Sequence, residues 1–99
     1  MGFIKRMRAN LREAKNLQEI CEQNLELPKG MLKTWRHADL YVLSLAIFER
    51  KTNEVMSDRA VTNAIIERRF DMSTSDALER MRSFRQLAEL DRVKPFEGL

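Results

Sequence analysis

Three arginines and three hydroxyl side chains lie close together in the last third of the chain, and their types suit contacts with nucleic acid. The guanidinium group of arginine donates two parallel hydrogen bonds, a geometry that matches guanine edges and phosphates. The same segment contains Asp76 and Glu79, whose carboxylates repel phosphate and can pair with an arginine one helical turn away. The segment therefore predicts either contact with base edges and phosphates or an ordinary solvated or protein-binding face. The six candidate residues are Thr74, Ser75, Arg80, Arg82, Ser83 and Arg85.

Two segments with almost the same helix-start pattern position these side chains. In Met56–Val61 and Met72–Ala77, methionine precedes serine and an apolar residue follows four positions after the serine. A serine at the N-cap accepts a hydrogen bond from an N–H of the first turn, and the apolar pair fixes the direction of the incoming chain. The pattern predicts helices over about 58–70 and 74–90, joined by about four residues. Such a pair is a helix-turn-helix unit, whose second helix can lie in a DNA groove.

Two more helices are predicted before this unit. The first is amphipathic and spans about residues 3–25, and it is followed by a break at Leu27–Gly30 because proline and glycine disfavour helix there. The second begins after Thr34 as N-cap and runs to about Lys51, and it is apolar nearly all round, which is typical of a central, buried helix. Val55-Met56 is long enough for a single β-bridge only, and a short extended tail is predicted after Asp91.

The N-terminal helix carries an apolar and a basic stripe side by side. The apolar stripe could pack on the chain's own core or pair with its twin in a homodimer, and the small core available favours the dimer. The basic stripe could bind phosphates, dock on an acidic partner or keep the helix soluble. The apolar stripe comprises Ile4, Met7, Leu11, Ala14 and Leu17, and the basic stripe comprises Lys5, Arg8, Arg12 and Lys15.

Composition favours one all-α domain and argues against simple electrostatic binding of DNA. The 99 residues are 43% apolar and 33% charged, and three glycines and two prolines leave few tight turns. The formal net charge is +3. The excess lies in residues 1–50, with nine basic and six acidic side chains, whereas residues 51–99 carry nine of each. Lys and Arg contacts to phosphate supply most non-specific affinity, so this distribution weakens the case for the second half.

Few residues could support catalysis or hold a metal. Zinc needs three or four donors, and the chain has one histidine, His37, and one cysteine, Cys21, so we expect no metal site. Cys21 continues an apolar stripe and predicts a buried, reduced thiol. No glycine-rich phosphate loop is present, so neither an enzyme nor a cofactor is expected. No apolar run is long enough to span a membrane, and no signal sequence precedes the first helix, which favours a cytoplasmic protein.

The segment from Ile65 to Phe84 resembles the helix-turn-helix of winged-helix regulators. That family has an apolar helix end, a Gly-apolar-Ser turn and a recognition helix, and here the turn reads Asp71-Met72-Ser73. Leu90–Val93 resembles the family's Leu-Gly-x-Val exit. Asp71 and Asp91 replace the glycines, and aspartate tolerates a left-handed turn less readily. Six residues after Val93 are too few for a second wing strand, so the resemblance implies a wing that is absent or reduced to one strand.

The sequence thus predicts a single domain over residues 1–99, with an amphipathic helix in 1–27 and a helix-turn-helix core with a short tail in 34–99. The function that follows is a small, homodimeric, double-stranded DNA-binding regulator of transcription or replication, of the phage, plasmid or archaeal type. The alternative is a helical protein-interaction module (an adaptor, inhibitor or assembly factor) that binds a partner through its apolar helix face. Binding of RNA through the basic N-terminal helix is a third possibility.

Overall fold

The computed structural model describes the backbone of residues 2–97 and the side chains of residues 11–88. Four helices follow one another: α1 (Gly2–Asn24), α2 (His37–Thr52), α3 (Asp58–Arg68) and α4 (Thr74–Glu97). Residues 2–97 contain no strand, which confirms the all-α class, and Val55-Met56 lies in irregular chain with the Val55 side chain 77% exposed.

The long connection between α1 and α2 is held by one buried carboxylate. Glu22 accepts hydrogen bonds from the backbone N–H groups of Gly30 (3.0 Å) and Leu32 (2.9 Å), and from Gln18 Nε2 (3.1 Å). The bonds from Gly30 and Leu32 stabilise the ionised form and hold the pKa of Glu22 below its ordinary value. Because the loop is tied back in this way, it packs Leu32 into the core instead of leaving it in solvent.

Helix α2 is the centre of the molecule and runs in the same direction as α1. Glu13 lies 3.6 Å from His37 near the start of α2, and Asn24 O accepts a hydrogen bond from Arg50 (3.4 Å) near its end. One side of α2 packs on α1 and its loop, and the other packs on α3 and α4. The first cluster comprises Cys21, Leu25, Leu32, Leu40, Leu43 and Ile47, and the second comprises Val42, Ala46, Val61, Ile65, Ala77 and Met81.

The start and the outer face of α2 differ from the sequence prediction. The prediction of Thr34 as N-cap is wrong: the N-cap is Arg36, which makes no side-chain capping bond. Residues 28–35 form successive tight turns, in which Met31, Lys33 and Trp35 N–H groups bond carbonyls three residues back, so helix begins only after them. The helix is also not buried all round, since the Phe48 side chain on its outer face is 58% exposed.

The ends of α3 and α4 also differ from the prediction. Helix α3 stops at Arg68 because Arg69 takes the left-handed conformation (φ 54°) and its N–H bonds Ile66 O. Helix α4 does not end near Leu90, and the expected extended tail continues it to Glu97. No glycine interrupts residues 74–94, and the only proline in α4, Pro95, lies in its last turn, so the sequence contains no signal that would end the helix earlier.

Candidate nucleic-acid interface

Both predicted serine caps are confirmed. Ser57 Oγ accepts a hydrogen bond from the Ala60 N–H (3.1 Å), and Ser73 Oγ accepts one from the Asp76 N–H (3.1 Å). The methionine before each serine is half-buried against the apolar cluster that contains Val61 and Ala77, the two residues predicted to pair with them. The caps therefore fix where α3 and α4 begin, and with them the turn between the two helices.

The turn between α3 and α4 comprises residues 69–73. Its left-handed residue is Arg69, so the expectation that Asp71 would take that conformation is wrong. Phe70 and Met72 pack against the core, whereas Asp71 and Ser73 are exposed. Arg36 at the start of α2 donates a hydrogen bond to Asp71 O (3.3 Å) and is 59% exposed at its side chain. Arg36 Nε also lies 3.6 Å from Asp39 Oδ2, so Arg36 joins the start of α2 to the turn, whereas Arg69 lies exposed within the turn itself.

The outer face of the first half of α4 is exposed to solvent. Three of the six candidate residues lie on it, Ser75, Arg82 and Ser83, and Thr74 is half-buried at the helix start. Glu79 and Gln86 share this face, and the exposed Asp76 lies at its edge, seven residues before Ser83. Gln86 was missed by the sequence analysis, although its helical spacing from Ser75, Arg82 and Ser83 was available as a signal. The opposite face is buried through Ala77, Met81 and Ala88.

Arg80 does not lie free on this face. Its Nε is 2.6 Å from Asp39 Oδ1 on α2, and its Nη1 is 3.9 Å from Asp76 Oδ2 one turn earlier in α4. The Asp39 contact is a close ion pair rather than a well-aligned hydrogen bond. Arg80 therefore links α4 to the start of α2.

Arg85 makes the strongest link between α4 and α2. Its Nε and Nη2 donate to Glu49 Oε1 (2.7 Å) and Oε2 (2.8 Å), and Nη2 also donates to Met56 O (3.1 Å). Glu49 is only 5% exposed and accepts a further bond from the Met56 N–H (2.7 Å). Burial would raise the pKa of Glu49, but these hydrogen bonds outweigh it and lower the pKa, and the bonds to Glu49 raise the pKa of Arg85. Arg85 thus joins α2, α4 and the loop before α3.

The apolar stripe of α1 is divided between core and surface. Ala14 and Leu17 are half-buried against the chain's own core, whereas Leu11 is 68% exposed. On the basic stripe, Arg12 and Lys15 are exposed. The side chains of the other four stripe residues, Ile4, Met7, Lys5 and Arg8, lie outside the described residues.

His37 and Cys21 are packed side chains. His37 stacks edge-on against Phe70 (4.9 Å between ring centroids) near the Glu13–Arg68 ion pair, and burial lowers the pKa of His37. Burial, with the nearby Glu22 charge, raises the pKa of Cys21 to about 12. A thiol with that pKa is protonated at neutral pH and is a poor nucleophile. No group of three His, Cys, Asp or Glu residues in the described part of the chain is arranged to hold a metal.

Comparisons with protein-family models, with curated proteins and with solved structures find no match to this chain. Across the part of the chain that the structure describes, none of the helices combines the length and the apolar character needed to cross a lipid bilayer.

Proposed function

We propose that this protein binds double-stranded DNA through the α3–turn–α4 segment, with α4 as the recognition helix, and that it regulates transcription or replication in the cytoplasm. The observation that carries the proposal is the outer face of α4. Directly after a serine-capped start, it presents Ser75, Arg82, Ser83 and Gln86 to solvent while its other face is buried.

The exposed side chains suit the reading of a major groove. Arginine pairs with guanine O6 and N7, glutamine pairs with adenine N6 and N7, and serine can contact several bases. The exposed Arg69 in the turn would contact a phosphate that borders the groove, which positions the helix without reading sequence. Arg80 and Arg85 have a structural role in this proposal: through their ion pairs with Asp39 and Glu49 they fix the orientation of α4 relative to α2.

A duplex titration at two salt concentrations tests the proposal. Fluorescence anisotropy with labelled random duplex at roughly 50 and 200 mM salt should show binding that weakens steeply as salt rises, because phosphate contacts release counterions. Arg82→Ala should weaken binding roughly tenfold. Lys51→Ala, an exposed cation in the last turn of α2, removes the same charge far from the turn and is the matched control. Absence of binding at the lower salt concentration would overturn the proposal.

Protein–protein interaction is the second candidate function, and one observation favours it. Leu11 is 68% exposed beside an apolar groove between α1 and the loop after it. Homodimerisation through α1 stays a prediction, and sedimentation of the Leu11→Ser variant tests it: an unchanged mass would exclude Leu11 from a dimer interface.

A further inference from the structure

A groove on the side of α1 combines an apolar floor with a basic rim. Its volume is about 510 Å³, within the range of roughly 300–1,000 Å³ that is typical of ligand sites. Its apolar lining comprises the buried Leu40 and the half-buried Ala14 and Trp35, which form the floor, and the exposed Leu11 at its edge; Gln18 and His37 also line it. The two lysines that line it come from different segments, Lys15 from α1 and Lys33 from the loop before α2.

Both lysines are exposed, and neither forms an ion pair with any described residue. The nearby carboxylate of Glu13 is already engaged by Arg68 and His37. The rim of the groove is therefore positive, and an occupant with carboxylates at its edges would gain electrostatic complementarity there.

We propose that this groove binds an acidic segment of a partner protein, in which a leucine-like side chain enters the groove and flanking carboxylates pair with Lys15 and Lys33. The proposal goes beyond DNA binding and does not depend on it, because the groove lies on α1 and its loop rather than on α4. The apolar floor does not suit a phosphodiester backbone. A second copy of this chain docking through α1 would occupy the same groove and is a competing outcome of the test: the leucine peptide would then fail to bind, and Leu11→Ser would lower the sedimentation mass.

The test uses the full chain and two fluorescein-labelled peptides. In the first, glutamates flank two leucines one helical turn apart; in the second, serines replace the leucines. Anisotropy titration should show binding of the first peptide and none of the second at the same concentrations, because the apolar anchor supplies the affinity.

Two pairs of variants separate the groove from a general basic surface. Leu11→Ser should weaken peptide binding about tenfold, since a leucine contact is lost. Ile20→Ser on the same helix, at a 48% exposed position outside the groove, should leave it unchanged. Lys33→Glu should weaken binding about threefold at low salt and less at high salt. Lys51→Glu, an exposed lysine in the last turn of α2 that does not line the groove, is its control.

The outcomes are distinct. Loss of peptide binding in Leu11→Ser and Lys33→Glu but not in their controls supports the groove. Equal losses in all four variants, or equal binding of the serine peptide, would overturn the groove proposal and show that charge alone drives peptide binding. If Lys33→Glu abolishes duplex DNA binding and the leucine peptide does not bind, the groove belongs to a nucleic-acid surface and the peptide proposal fails. Failure of duplex binding with peptide binding retained would overturn only the DNA-binding function.

Discussion

The buried and the exposed side of α4 each carry an arginine, but the two arginines have different roles. Arg85 faces inward and holds buried Glu49, whereas Arg82, three residues earlier, lies on the exposed face with Ser75 and Ser83. A guanidinium that already donates to a buried carboxylate and a backbone carbonyl has few donors left for a ligand. An arginine in this chain is therefore a candidate for binding only if α2 does not already engage it.

The largest effect on stability should come from breaking the Glu49–Arg85 ion pair on the buried side of α4. Glu49→Ala leaves Arg85 without its carboxylate and the Met56 N–H without an acceptor. Removing one partner of a buried ion pair costs about 3–5 kcal/mol, and we expect a loss near the lower end because Arg85 keeps partial access to water. Urea unfolding followed by circular dichroism measures it. A loss below about 1 kcal/mol would show that the pair does not hold α4 on α2.

Acid should weaken the two buried carboxylate sites, Glu49 against the buried side of α4 and Glu22 at the α1–α2 loop. The pKa values of Glu49 and Glu22 are lowered in the folded protein, so their stabilisation is present above the unfolded value of 4.5 and is lost as pH falls through the folded values. The free energy of unfolding should therefore fall as the pH is lowered below about 4.5. The slope should be shallower in Glu49→Gln and Glu22→Gln, and a variant with the wild-type slope would remove that carboxylate from the explanation.

The two serine caps should each contribute less to stability than the Glu49–Arg85 pair, and about equally. Ser73→Ala removes the acceptor of the Asp76 N–H, and Ser57→Ala removes that of the Ala60 N–H. Each should lower the free energy of unfolding by about 1 kcal/mol. Ser73→Ala should also weaken duplex binding because the cap fixes the start of the outer face. Equal duplex affinities for the two variants would mean that the start of α4 does not take part in binding.

The smallest expected effect is a gain in duplex affinity, where the other changes cause losses. Glu79 lies on the outer face between Ser75 and Arg82 and repels phosphate, so Glu79→Gln should raise the affinity for random duplex about threefold at low salt. Its stability should stay within about 0.5 kcal/mol of wild type, as is usual for surface substitutions. Glu54→Gln, an exposed carboxylate before α3, is the matched control. Equal gains in both variants would indicate a net-charge effect only.

The contrast between the two sides also explains what the sequence could predict. The caps at Ser57 and Ser73 were predictable because they depend on residues three positions apart. The Glu49–Arg85 pair joins residues 36 positions apart, and no local pattern indicates it. Thr34 was predicted as the N-cap from its residue type alone. In the structure the tight turns of residues 28–35 continue past Thr34, so α2 begins at His37. The groove could not be predicted from local sequence either, because Trp35 and Lys33 lie beside α1 only when the hydrogen bonds to Glu22 hold the loop against it.

The most direct test compares Arg82→Ala with Arg85→Ala by duplex affinity and by the free energy of unfolding, at a temperature where both variants are folded. The account predicts that Arg82→Ala loses roughly tenfold in affinity with stability unchanged, and that Arg85→Ala loses about 2 kcal/mol or more of stability. The opposite pattern, with Arg85→Ala losing affinity at wild-type stability and Arg82→Ala unfolding readily, would contradict it.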